Sequence, residues 1–312
     1  MYIINNLTNK KKLYIAVISF IIAIALISSI ALIIVTQSNN SAIPKHRLQW
    51  WLEAIEWNTK RDYTGKGVKI AVLDTGIDMS HPDLQVANIV SRSMSLVSSV
   101  DDDKSHGTAI AGIIAAYPSH DKGVWGIAPS SEIISIDITD GEYIEPQSIV
   151  EGIEIAIAEQ VDIISISLGL HDDNNELHQA IQKAYNLGII IIASAGNYMD
   201  GDVLYPAKYD EVICVGSVGK DGNIISPQNI ISDDVIYAPG ENVVTICVGQ
   251  KKYLGATGTS FSTAIITGIV SIMKEVNPHI TTEEIINFFS NANVDTFVSI
   301  EKCIKYSKEI KE

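Results

Sequence analysis

From Gly67 onward, short apolar runs alternate with longer helix-like stretches, and this alternation restricts the fold more than any other feature of the sequence. Isoleucine, valine and alanine dominate the runs at Val68 to Leu73, Ile133 to Ile138, Ile163 to Leu168, Ile189 to Ala193 and Val212 to Val215. A strand with one wet face alternates apolar and polar residues. Near-continuous apolar runs instead imply burial on both faces, and hence a mostly parallel sheet between two helical layers. Helices are predicted over His106 to Ala116, Pro146 to Gln160, Glu176 to Leu187 and Ser260 to Val276, with Gly188 and Pro278 as stops for the last two. The expected class is therefore α/β, a three-layer α/β/α domain with a mostly parallel central sheet.

In such sheets functional groups gather at the carboxyl ends of the strands. Asp74 directly follows the run Val68 to Leu73, Asn197 follows Ile189 to Ala193, and Ser260 begins a predicted helix. The same pattern suits a nucleotide-binding domain, but neither GxGxxG nor GxxxxGK[ST] occurs. A net charge of −15 and a pI near 4.8 argue further against nucleic-acid binding.

The N-terminal region has a different character. Leu13 to Val35 is 23 residues without a charge, preceded by Lys10-Lys11-Lys12. A helix of that length spans about 30 Å of hydrocarbon, and the lysines favour a cytoplasmic N-terminus. The expected organisation is a short cytoplasmic segment (1–12), a transmembrane signal-anchor (13–35), a linker (36–49), a main domain (50–290) and a C-terminal tail (291–312). That places the protein at the cell membrane as a single-pass chain with its main domain outside. The rival is a cleaved signal peptide, which gives a secreted protein, although its apolar core is usually shorter. Trp50 to Trp57 reads as an amphipathic lead-in helix whose tryptophans either anchor the core, their commoner fate, or rest at the membrane interface. Cys214, Cys247 and Cys303 have no metal-ligand spacing, and an odd count cannot all pair within the chain. The first two sit in apolar runs as small core residues, whereas Cys303 falls in the charged tail.

Three segments carry chemistry: Val72-Leu73-Asp74-Thr75-Gly76-Ile77-Asp78, Ser105-His106-Gly107-Thr108 and Gly258-Thr259-Ser260-Phe261-Ser262. A serine hydroxyl needs a neighbouring base to attack a carbonyl, and an imidazole in that role needs an acceptor to fix its tautomer. In isolation Asp74 reads as a turn former, His106 as a helix-start or core histidine, and Ser260 as an N-cap. Asp-Thr-Gly is also the aspartic-protease signature, but it occurs once and that mechanism needs two aspartates, hence a symmetric dimer.

Together, in this order, the segments resemble the subtilisin-like serine proteases, the subtilases. The resemblance runs from about Trp50 to about Pro278 through His81-Pro82-Asp83-Leu84, Gly126-Ile127-Ala128-Pro129, Ser167-Leu168-Gly169, Ala195-Gly196-Asn197, Tyr205-Pro206-Ala207 and Tyr237-Ala238-Pro239-Gly240. It implies a catalytic triad of Asp74, His106 and Ser260, with Asn197 as an oxyanion donor. It also implies substrate contacts from Ser167, Leu168, Gly169, Ala195 and Gly196. No cofactor is implied for catalysis. A structural calcium stays open, with Asp83 and Asp121 as the ligands the sequence offers, while calcium takes six to eight oxygens.

Several positions depart from the family pattern. Phe261-Ser262-Thr263-Ala264 replaces the usual Met-Ala-Ser-Pro after the nucleophile, so an alanine with an ordinary N–H stands where proline is customary. Ala109 replaces a common second histidine, and Leu170 stands where the family often has glycine, which narrows the primary side-chain pocket. Subtilases usually carry a prodomain of several tens of residues, but only residues 36–49 separate the apolar run from Trp50. Folding is thus expected without one, or with a partner's help. The expected function is a monomeric, membrane-anchored, extracytoplasmic serine endopeptidase acting on peptides or proteins. The alternative is a catalytically silent subtilase-like regulatory or peptide-binding module. A narrower form of the first is a dedicated processing protease.

Overall fold

The computed structural model describes residues 49–311 apart from 59, 94–104, 121–122, 140–143, 198–201, 227–234, 250–252, 292–296 and 298. The expected membrane segment, Leu13 to Val35, lies outside the described residues. Among those described, no helix is long and apolar enough to cross a membrane.

The expected strands form where the apolar runs lie: β1 (Lys69–Asp74), β3 (Glu132–Asp137), β4 (Ile163–Ile166), β5 (Ile190–Ser194) and β6 (Val212–Val218). With β2 (Asn88–Ser93), β7 (Ile224–Ser226) and β8 (Val235–Pro239) they build an eight-stranded sheet in the order β2-β3-β1-β4-β5-β6-β7, with β8 also paired to β6. Every pairing is parallel except β6 with β7. A separate antiparallel hairpin joins β9 (Val243–Ile246) to β10 (Tyr253–Ala256).

The helices follow the same logic: α1 (Trp50–Ala54), α2 (Ser105–Ala115), α3 (Pro146–Ala158), α4 (Asn175–Asn186), α5 (Thr259–Val276), α6 (Thr282–Asn291) and α7 (Ile300–Glu309). Alternate residues of β1 face opposite ways, as the pleat requires. Ile70 and Val72 join a core with Ile110, Ile113, Ile265 and Ile269 of α2 and α5, whereas Ala71 and Leu73 join a second core with Ile149, Ile153, Leu177 and Ile181 of α3 and α4. Two apolar layers around one sheet give the expected three-layer α/β/α arrangement.

Two details differ from expectation and one agrees with it. The lead-in helix stops at Ala54, and Glu56 takes a left-handed φ of 54° that redirects the chain. Trp51 is fully buried and its indole N–H donates to Val244 O at 3.3 Å, so the core role holds for this tryptophan. The segment expected as a tail contains α7, whose Ile300 and Cys303 are buried against the first core. Its sequence looked solvated because seven of its ten residues are charged or hydroxyl-bearing and only one stripe is apolar.

Candidate active site

The chain leaves β1 for β2 and β3 on one side of it and then crosses to β4 on the other, so the direction of winding reverses at β1. A crevice opens at such a reversal beyond the strand carboxyl ends. Asp74 is the last residue of β1 and only 3% exposed. One of its oxygens, Oδ1, accepts the Thr75 N–H at 2.7 Å.

His106 stands in the first turn of α2 and places Nδ1 2.9 Å from both Asp74 oxygens. Gly107 makes this approach possible. A Cβ there would lie 2.3 Å from Gly76 O and 3.2 Å from Asp74 Oδ1, and any side chain would drive the helix from the strand end. The Gly107 N–H also donates to Thr75 Oγ1 at 3.1 Å, tying helix to turn. Burial disfavours the imidazolium, but the charge of Asp74 and its hydrogen bond together outweigh that cost and hold the His106 pKa above its ordinary 6.5. With Nδ1–H donated to the carboxylate, Nε2 is the nitrogen left to accept a proton.

Ser260 is the second residue of α5, where backbone N–H groups lack intrahelical partners and the helix dipole favours negative charge. The Ser260 hydroxyl donates to Ser167 O at 3.0 Å, and the Ser167 hydroxyl returns a bond to Ser260 O at 3.2 Å. Ser167 just follows β4 and lines, with Asp74, Thr75, His106, Thr139, Ile144 and Leu168, a cavity of about 230 Å³. Asp74 and His106 line this crevice directly, whereas Ser260 meets it through its hydrogen bonds with Ser167. The Phe261 ring lies 5.8 Å from the imidazole, a contact not anticipated from sequence because aromatic neighbours across two helices leave no spacing signal. The helix continues through Ala264, which is fully buried, so the missing proline does not interrupt it.

Asn197 lies three residues past β5 and is exposed. Its Oδ1 accepts from Thr259 N at 2.9 Å and from Thr259 Oγ1 at 3.1 Å. Ala195 and Gly196 precede it, both buried, just past the end of β5, which pairs in parallel with the β4 strand that leads into Ser167, Leu168 and Gly169.

Of the two residues nominated for calcium, only Asp83 can be placed, and its oxygens are already engaged. Asp121 lies outside the described residues. Asp83 is fully buried, and its carboxylate accepts four hydrogen bonds, from Ser119 N (2.8 Å), Ser119 Oγ (2.7 Å), Val124 N (3.0 Å) and Tyr253 Oη (2.9 Å). Burial alone raises its pKa, but these bonds together hold it below 3.8. An oxygen pair already saturated by donors organises a loop and has no lone pair to offer a cation. Among the described residues no group of three or more His, Cys, Asp or Glu is placed to hold a metal.

Comparison with known proteins agrees with this architecture. Residues 65–300 match the model of the Subtilase family. The chain is 37% identical over 222 residues to the major intracellular serine protease of Bacillus subtilis, covering 67% of this chain and 69% of that one. It is 36% identical over 231 residues to subtilisin from Bacillus pumilus, covering 72% and 82%. Fervidolysin from Fervidobacterium pennivorans, a keratinolytic enzyme related to subtilisin, superposes with a TM-score of 0.71 at 24% identity, covering 82% of this chain and 45% of that one, and shares its fold.

Proposed function

The chain belongs to the subtilase family and is a subtilisin-like serine endopeptidase; from that premise we propose that Ser260 is its nucleophile, His106 its general base and acid, Asp74 the group that orients His106, and Asn197 its oxyanion donor. The observation that carries this reading is the contact of His106 Nδ1 with both oxygens of buried Asp74, 2.9 Å each, with Phe261 at the head of α5 5.8 Å from the imidazole.

The chemistry follows from what each group offers. The Ser260 hydroxyl turns from Ser167 O toward Nε2. Its oxygen attacks the scissile carbonyl carbon as the proton passes to His106. The carbonyl oxygen gains negative charge, which the Ser260 N–H and Asn197 Nδ2 stabilise at the positive end of α5. The carbon–nitrogen bond breaks, and the leaving amine takes the proton from Nε2. A water then gives its proton to His106 and its hydroxide to the acyl carbon. Ser260 leaves with the proton, regenerating the resting site. Throughout, the Asp74 carboxylate stabilises the transient imidazolium.

The substrates under this reading are peptides or proteins, bound in extended form along Ser167 to Gly169 by backbone pairing. The uncharged run Leu13 to Val35 behind three lysines supports anchorage in a membrane with the domain outside. Carbonate extraction and external protease digestion of intact cells test that part: a carbonate-resistant, externally digestible chain is expected, and a carbonate-soluble or protected one overturns it.

For the site itself, Ser260→Ala and His106→Ala are compared with the parent for peptidase turnover and fluorophosphonate labelling. Loss of both activities with the fold intact is expected. Unchanged turnover in a folded Ser260→Ala variant overturns the nucleophile assignment.

A further inference from the structure

Two glycines lie in the segments that bond the head of α5, one following Ser167 and one preceding Asn197. Gly169 lies two residues past Ser167, whose carbonyl accepts the Ser260 hydroxyl, and Gly196 immediately precedes Asn197. The absence of side chains on both walls leaves a slot between them, and one residue occupies it. A Cβ on Gly169 would fall 2.6 Å from Leu204 Cβ and 2.8 Å from its Cδ1. A Cβ on Gly196 would fall 2.8 Å from Leu204 Cγ and 2.9 Å from Cδ1. The Leu204 side chain thus lies between the two backbones in contact with both, and it is only 6% exposed.

The leucine is anchored to both walls. Its N–H donates to Ala195 O at 3.0 Å, and the neighbouring Tyr205 exchanges backbone bonds with Leu170, Leu170 N to Tyr205 O at 2.7 Å and Tyr205 N to Leu170 O at 2.9 Å. From the opposite direction, the Ser226 hydroxyl holds Gly196 O at 2.7 Å. A wall fixed at this many points does not swing open cheaply, because local opening must break those bonds together.

Under the assignments above, a substrate carbonyl carbon meets Ser260 Oγ while its oxygen meets Asn197 Nδ2. His106 stands on the side where the amine leaves. The side chain of the residue bearing that carbonyl is then directed between segments 167–169 and 195–197, where Leu204 already sits. We propose that Leu204 closes the pocket for the side chain on the acyl side of the scissile bond, so that this protease cleaves after glycine, alanine or serine and rejects large residues. The inference rests on Ser260 and Asn197 acting as assigned. A filled pocket discriminates by size, and a single methylene changes kcat/KM by about 10- to 200-fold.

The test uses the full chain and a set of otherwise identical peptides with Gly, Ala, Ser, Val, Leu or Phe before the scissile bond. For the parent, kcat/KM for Ala exceeds that for Phe by at least about 100-fold. Leu204→Gly raises the Phe value at least about tenfold relative to Ala, with Leu204→Ala intermediate. A parent that prefers Leu or Phe overturns the proposal, as does an unchanged Ala-to-Phe ratio in a folded Leu204 variant. Should Leu204→Gly fail to fold, Leu204→Ala decides by the same ratio. Ser260→Ala, run alongside, separates the two claims: activity persisting there overturns the nucleophile and with it the pocket, whereas its loss leaves the ratio to judge Leu204 alone.

Discussion

Thr259 fixes the orientation of Asn197, donating its N–H at 2.9 Å and its hydroxyl at 3.1 Å to the amide oxygen. A backbone N–H bonds only an acceptor, so Oδ1 faces Thr259 and the group left over is the Nδ2 donor. Asn197→Ala is expected to lower kcat about 10²- to 10³-fold with little change in KM, since the lost bond matters only when charge develops. Thr259→Ala keeps the N–H and loses only the hydroxyl, so its loss of kcat is expected to be about tenfold or less. Steady-state kinetics on one peptide check both, and a KM effect in place of a kcat effect for Asn197→Ala counts against the oxyanion role.

The pH dependence follows from the Asp74–His106 pair. Catalysis needs neutral Nε2, and His106 titrates above 6.5, so kcat/KM should fall with acid through a pKa above that value. Asp74→Asn removes the charge that raises it and should move the acid limb down while lowering kcat by about 10⁴-fold. Stability runs the other way. A folded pKa raised above the unfolded one stabilises the protein below pH 6.5 and ceases to do so as pH rises through the folded value. The Tm difference between parent and His106→Gln is therefore largest on the acid side of 6.5. A difference that grows toward alkaline pH contradicts the pairing.

Asp83 makes a separate prediction about metal dependence. Its four donors occupy the positions a cation would need, so any effect of a chelator on Tm should be the same in the parent and in Asp83→Ala, while Asp83→Ala strips partners from the Ser119 and Val124 N–H groups. Orphaning buried donors of a charged group costs about 3 kcal/mol or more in total, and Tyr253→Phe about 1 to 2 kcal/mol. The folded pKa is held below 3.8, so this contribution is present above pH 3.8 and disappears as pH falls through the lower folded value. Thermal melts with and without EDTA, on parent and variants, measure all of it. A drop in Tm with EDTA that is present in the parent and absent in Asp83→Ala contradicts the donor-saturated assignment.

The sheet was legible because both of its faces are dry. Ile70, Ala71, Val72 and Leu73 are all buried and form an unbroken apolar run, and the same is true of Ile163 to Ile166 apart from Ser165. The edge strand β2 was not, since Asn88, Ser91 and Arg92 interrupt its pattern where one side meets solvent. At the site, Asp74, His106, Ser260 and Asn197 stood in segments whose order carried meaning. Leu204 did not, because a side chain filling a slot between two distant glycines is a tertiary fact with no local period. The saturation of Asp83 was equally hidden, depending on Tyr253, 170 residues away in sequence.

The last prediction concerns α7, which lies in the segment expected from sequence to be a C-terminal tail. Ile300 N donates to Ile55 O at 3.0 Å, and Phe297 packs edge-on against Trp50 at 5.7 Å between ring centroids. Ile300 is 2% exposed and Cys303 is fully buried beside α5. The helix thus covers the first core and clasps the lead-in segment from the far end of the chain. Ile300→Ala should cost about 2 to 5 kcal/mol, the usual range for a buried aliphatic truncated in place. Ending the chain at residue 298 should lower Tm by more than that single change, because it uncovers the whole apolar stripe of the helix. Neither change touches the crevice, so kcat measured well below the melting transition should stay within about twofold of the parent. Denaturant melts and kinetics on Ile300→Ala decide between a structural clasp and a loose tail: an unchanged melting midpoint would return residues 291–312 to the status of a tail.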